Sequence, residues 1–160
     1  MNKMRHVYLI ELEIGLRENS CSATCIHEEL IKRIYNKKVV VYFYISNTVE
    51  ECRLISDDFA KFYDSLQETN TEAIGVSKDS IDSCRKFKEK HNLPFELISD
   101  CNNEISKAFK VGQDVDGIAG IKRKTFIFND EGKLYHEWRN TNADDHASSV
   151  LYIAKSMGGF

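Results

Sequence analysis

Cys52 is the residue in this chain best placed to act as a nucleophile. It follows an apolar run, VVVYFY at 39–44, by eight positions and falls in the first turn of a segment with helical spacing. A thiol there stands beyond the end of a strand, beside the positive end of a helix dipole, and that field favours the reactive thiolate. Glu50 and Glu51 precede the sulfur and oppose ionisation if they lie close. Thr48-Val49-Glu50-Glu51 also fits a capping box, with Thr48 as N-cap and Glu51 at the third helical position; Cys52 would then be the fourth helical residue.

The remaining chemistry-bearing residues have structural readings beside the reactive ones. Cys84 lies on the apolar stripe of a predicted helix, where a free cysteine behaves as a small hydrophobe. Cys21 and Cys25 form CSATC near His27, and no second pair supplies the remaining ligands of a metal site, so the two read as unrelated thiols and no metal is expected. Cys101 sits in a polar turn, SDCNN. His91 and His146 read as structural residues near helix ends. Phe43, Tyr44 and Trp138 read as core or pocket wall, because no basic stripe accompanies them as a nucleic-acid surface would require. Taken alone, Arg123 is a solvated arginine at the start of a strand.

Positioning these residues requires an ordered set of elements. Residues 7–16 alternate loosely as a strand would, and 26–35 has helical spacing. A strand over 38–45 is apolar on both faces, as a central strand covered on each side should be. A helix over 50–66 carries Leu54, Ile55, Phe59, Phe62, Tyr63 and Leu66 on one stripe. A strand over 72–77, a helix over 79–91 and a short strand over 95–99 after Pro94 follow. A helix over 103–109 leads to a glycine-punctuated loop at 111–120. Strands over 125–128 and 133–138 flank the turn NDEG, and a helix over 143–157 buries Ala147, Val150, Leu151 and Ala154. A βαβ half followed by a ββα half predicts an α/β sandwich with a mixed central sheet flanked by helices.

With 160 residues, 42% hydrophobic and 29% charged, the composition is that of one soluble domain. A net charge of −3 excludes a general attraction to nucleic acid or an anionic membrane, and no apolar run is long enough to span a bilayer. Five cysteines leave at least one unpaired in a monomer, which fits a reducing cytoplasm better than a disulfide scaffold. No signal peptide is legible in residues 1–16.

Several stretches, in order and with matching gaps, resemble the peroxiredoxins of the bacterioferritin comigratory protein or peroxiredoxin Q subfamily. They are KKVVVYFY (37–44), IGVSKDSI (74–81), KFKEKHNLPFELISD (86–100), KAFKVG (107–112), RKTFIFNDEGK (123–133) and the His146–Ala147 pair. The resemblance implies a single thioredoxin-like domain, with 37–157 as recognisable core and 1–36 as a divergent part. It assigns Cys52 to the peroxidatic cysteine and Arg123 to the arginine that lowers its pKa. Ile45 and Val49 fall where the family has proline and threonine, and Asp57 falls where many members carry a resolving cysteine. Thr48, one residue out of register, and Phe43 complete the substrate-binding set. Cys84 is a possible resolving cysteine, about one turn before the position some members use.

The implied activity is reduction of hydrogen peroxide or organic hydroperoxides by a single-cysteine mechanism. An external thiol (thioredoxin, glutaredoxin or a low-molecular-weight thiol) serves as reductant, without a cofactor, in a monomer or homodimer. An arginine about 4 Å from the sulfur could contribute about 4 kcal/mol toward the thiolate, outweighing the glutamates and lowering the pKa modestly from about 8.5. Loss of the threonine hydroxyl removes roughly 1.5–3 kcal/mol of peroxide positioning. Two other readings follow from the same residues: a binding or redox-regulatory protein on a peroxiredoxin scaffold, and a thiol oxidoreductase using Cys21 and Cys25.

Overall fold

A computed structural model describes residues 36–44, 46–48, 50–100, 105, 124–138 and 146–157. The strand expected over 7–16, the helix over 26–35 and the loop over 111–120 lie outside these residues, as does the helix over 103–109 except for Ile105.

The sheet is five-stranded, in the order β3-β2-β1-β4-β5. β1 (Lys38–Phe43) pairs in parallel with β2 (Thr71–Ser77), and β2 in parallel with β3 (Glu96–Ser99). β1 also pairs antiparallel with β4 (Thr125–Phe128), which pairs antiparallel with β5 (Leu134–Trp138) through an irregularity at Ile127/Phe128. The mixed sheet predicted from the βαβ and ββα halves is therefore present.

The central strand is buried on both faces, and its alternation divides the interior in two. Val40, Tyr42 and Tyr44 join Ile127 and Ala73 in the core beneath the helices. Val39, Val41 and Phe43 point to the other face, where Phe43 meets Phe126 edge-on at 5.9 Å. Helices α1 (Glu50–Lys61), α2 (Tyr63–Glu68), α3 (Ile81–Lys90) and α4 (His146–Met157) all supply side chains to the first of these clusters.

The single helix expected over 50–66 is tightened at Phe62 (φ −96°, ψ 5°) into α1 and α2, although backbone hydrogen bonds run through the junction. Leu54 departs from the predicted stripe and is largely exposed, while Ile55, Phe59 and Leu66 are buried. The ends of α3 follow its sequence closely. Ser80 caps the start by accepting the Ser83 N–H at 3.1 Å. Asn92, at φ 51°, ends it in a Schellman turn with Leu93 N–H on the Lys88 carbonyl and Asn92 N–H on that of Glu89. The NDEG turn closes with Gly132 at φ 79°, and Asn129 Oδ1 accepts the N–H groups of Glu131 and Lys133.

α4 is described from His146, residues 143–145 of the predicted helix lying outside the described residues, and it buries the four residues expected of it. The His146 ring packs edge-on against Phe59 (5.6 Å) and Trp138 (5.7 Å), with Nε2 2.8 Å from Thr125 Oγ1. Burial lowers its pKa to about 4. The folded state therefore favours the neutral ring. Its contribution to stability is complete above the unfolded pKa of about 6.5 and is lost as pH falls toward 4. Urea denaturation should accordingly show a loss of about 3 kcal/mol attributable to this ring across that window, and His146→Gln should flatten the pH dependence there.

Candidate active site

Cys52 lies in the first turn of α1, whose described residues begin at Glu50; Val49, the first helical position of the capping box, lies outside the described residues. The side chain is fully buried and belongs to the same cluster as Tyr42, Tyr44, Ile55 and Phe59. The first turn of α1 therefore packs its thiol into the core, not out of the sheet end.

Tyr42 of β1 and Tyr44, just past its end, form the floor under this turn. Tyr42 stacks on Phe59 (4.7 Å) and its hydroxyl lies 2.8 Å from Ser56 Oγ, one turn beyond Cys52. Its ring fits because position 75 is glycine: a Cβ there would come within 2.8 Å of the Tyr42 ring and 2.7 Å of Leu97. Tyr44 donates to Asn47 Oδ1 at 2.8 Å. Burial pushes both phenols well above their ordinary range, so they remain neutral hydrogen-bond donors.

Charge near the sulfur is partly neutralised along α1. Arg53 donates to both carboxylate oxygens of Glu50, and to Asp57 at 2.8 Å. The Arg53 hydrogen bond holds Glu50 below its usual carboxylate range. Of the two glutamates expected to oppose the thiolate, Glu50 is thus paired, and the Glu51 side chain lies outside the description. Asp57 also faces the His91 ring at 3.8 Å.

Of the remaining site residues, Thr48 is exposed and its Oγ1 sits 3.0 Å from Ser46 Oγ. Phe43 does not line the site: the two-residue period of β1 turns it to the face opposite Cys52, and Tyr44 occupies the near side instead. Ile45, Val49 and Arg123 lie outside the described residues, as do Cys21, Cys25, His27 and Cys101. Cys84 is a buried free thiol on α3, within 3.9 Å of Asn47 Nδ2 and 3.8 Å of Ser77 Oγ. Burial pushes its pKa up, and these two hydrogen bonds offset only part of the shift. Sequence reasoning missed Asn47, Ser77 and Asp79, polar residues of the loops around this cluster; polar loop residues carry no periodic signal.

The sequence profile of the AhpC/TSA family matches residues 26–137. The chain belongs to that family. It is 35% identical over 152 residues to peroxiredoxin Bcp of Bacillus subtilis, a match spanning 91% of this chain and 97% of that one. A putative peroxiredoxin bcp of Coxiella burnetii is 32% identical over 72% of this chain and 79% of its own. Among solved structures, the bacterioferritin comigratory protein of Xanthomonas campestris superposes with a TM-score of 0.76 at 26% identity, over 80% of this chain and 84% of that one. The fold is thioredoxin-like, and the protein is a peroxiredoxin of the Bcp and Q type, a thiol-dependent peroxidase. Among the described residues, no helix is long and apolar enough to cross a membrane.

Burial and a raised pKa both protect Cys84. In the folded protein at neutral pH its alkylation, followed by peptide mass spectrometry, should run at least about tenfold slower than in urea-unfolded chain.

Proposed function

We propose that Cys52 is the peroxidatic sulfur and that the enzyme works by a single-cysteine route. The observation that carries this reading is a free thiol in the first turn of α1, beyond the end of the central strand, in a chain of this family. The Cys52 thiolate attacks the terminal oxygen of a peroxide. The sulfur–oxygen bond forms as the oxygen–oxygen bond breaks. The leaving alkoxide or hydroxide takes a proton, and Cys52 becomes a sulfenic acid. A thiol reductant then displaces water to give a mixed disulfide, and a second reductant thiol releases Cys52. Arg123 carries the role the family resemblance gives it, favouring the thiolate and steadying the departing oxygen.

The Xanthomonas campestris relative is described by its alkyl peroxide reduction, which supports organic hydroperoxides as substrates here beside hydrogen peroxide. The reductant is thioredoxin, glutaredoxin or a low-molecular-weight thiol, and a reducing cytoplasm suits the free thiols of Cys52 and Cys84. An internal disulfide to Cys84 is the alternative route for recycling. It requires α3 to open, because Cys84 is buried within that helix's hydrogen-bonded first turns.

Two observations favour a second reading, a redox-regulatory or binding module with weakened turnover. They are the full burial of Cys52 and the replacement of the family's proline and threonine by Ile45 and Val49.

Rapid-mixing kinetics with hydrogen peroxide and an organic hydroperoxide separate the two. The peroxidase reading expects oxidation well above that of a free thiol, abolished in Cys52→Ser and raised roughly ten- to a hundredfold in Val49→Thr. A wild-type rate equal to a free thiol's would favour the regulatory reading, and peroxide consumption surviving Cys52→Ser would end the assignment. Mass spectrometry after one equivalent of peroxide decides the recycling route: a Cys52–Cys84 disulfide would replace the external-thiol step.

A further inference from the structure

Ser46 and Asn47, in the segment that joins β1 to α1, are both held by one carboxylate. Asp79 lies in the turn between β2 and α3. Its Oδ1 accepts the Ser46 hydroxyl at 3.0 Å. Its Oδ2 accepts the Asn47 backbone N–H at 2.9 Å and the Ser77 hydroxyl at 2.8 Å. The base of this carboxylate is itself fixed: the Asp79 carbonyl accepts Ser99 Oγ at 2.6 Å, and its N–H points to Ser77 Oγ at 3.3 Å.

The loop side is equally well tied. The Asn47 side chain donates to Ser83 Oγ at 3.0 Å and accepts from Tyr44. Ser46 Oγ receives the Thr48 N–H at 3.2 Å. Asp79 is not occupied in capping its own helix, because Ser80 performs that task for α3. Its charge is spent across a gap of more than thirty residues of sequence, on the backbone that leads directly into the Cys52 helix.

We propose that Asp79 is a positioning residue for the peroxide step, acting through Ser46 and Asn47 to hold the β1–α1 loop and the first turn of α1 in register with the substrate. This rests on Cys52 as the reacting sulfur. Peroxide attack needs the sulfur and both oxygens in line, and misplacement of a reacting group by an ångström can cost about a hundredfold. In a chain whose proline and threonine positions are Ile45 and Val49, the ring that would fix the backbone at 45 and the hydroxyl at 49 are both missing. The Asp79 carboxylate supplies the rigidity from outside.

The test is steady-state turnover of hydrogen peroxide with dithiothreitol as reductant, in wild type, Asp79→Asn, Ser46→Ala and Cys52→Ser. Asp79→Asn keeps the shape but turns one acceptor oxygen into a donor facing the loop. Its kcat/KM for peroxide should fall about tenfold, equivalent to about 1.4 kcal/mol. Its kcat at saturating peroxide, set by recycling with the thiol, should stay within about twofold, because the reductant step does not need in-line peroxide. An unchanged kcat/KM overturns the proposal. So does an equal fall in kcat and kcat/KM, which marks loss of folded enzyme rather than of alignment.

If Asp79→Asn does not fold, Ser46→Ala decides. It removes one arm of the contact without touching the charge and should lower kcat/KM about threefold; no change overturns the proposal. Turnover that survives Cys52→Ser refutes the sulfur assignment and this inference with it. Cys52-dependent turnover indifferent to both loop variants refutes this inference alone.

Discussion

The fit of Tyr42 over Gly75 is the contact on which the surroundings of Cys52 depend. The absence of a side chain at 75 lets the tyrosine ring lie against β2, and the ring in turn stacks on Phe59 and reaches Ser56 on α1. One aromatic residue thus sets the height and the rotation of the helix that carries the thiol. Stacking fixes the distance between helix and sheet, while the hydroxyl contact fixes which turn of the helix lies above it. A buried hydroxyl pair left half-satisfied would cost about 1–3 kcal/mol, so the alternatives to this arrangement are unfavourable on polar as well as packing grounds.

The same arrangement explains why the thiol is buried. With α1 stacked on Tyr42 through Phe59, Cys52 joins the apolar cluster, fully buried. The first turn of α1 also carries the ion pair of Glu50 with Arg53. Polar contacts from α3 and the β2–α3 turn complete its support from the side.

Those lateral contacts converge on a small region around Asn47. Tyr44 comes from just past the end of β1, Asp79 from the turn after β2, and Ser83 and Cys84 from α3. The free Cys84 thiol is thus part of the packing that supports the loop before Cys52, as well as being a candidate partner for it. Any reaction that draws Cys84 out of α3 must also release its contact with Asn47.

The sequence by itself determined the order of elements and the family. The apolar runs of β1 and β4 read as interior strands, and Ser80, Asn92 and Asn129 mark the ends of α3 and the β4–β5 turn by local hydrogen bonding that needs no distant partner. It also singled out Cys52, from its distance to a strand and its place at a helix start. It misjudged Phe43, because apolarity on both faces of β1 conceals which face meets the helices. It placed Leu54 on the buried stripe, because helical spacing marks a face but not where that face's edge meets the core. The depth of the thiol and the contacts of Asp79 were decided by tertiary structure alone. Both depend on contacts between residues about thirty positions apart, and the chain carries no local pattern that records which carboxylate will meet which loop.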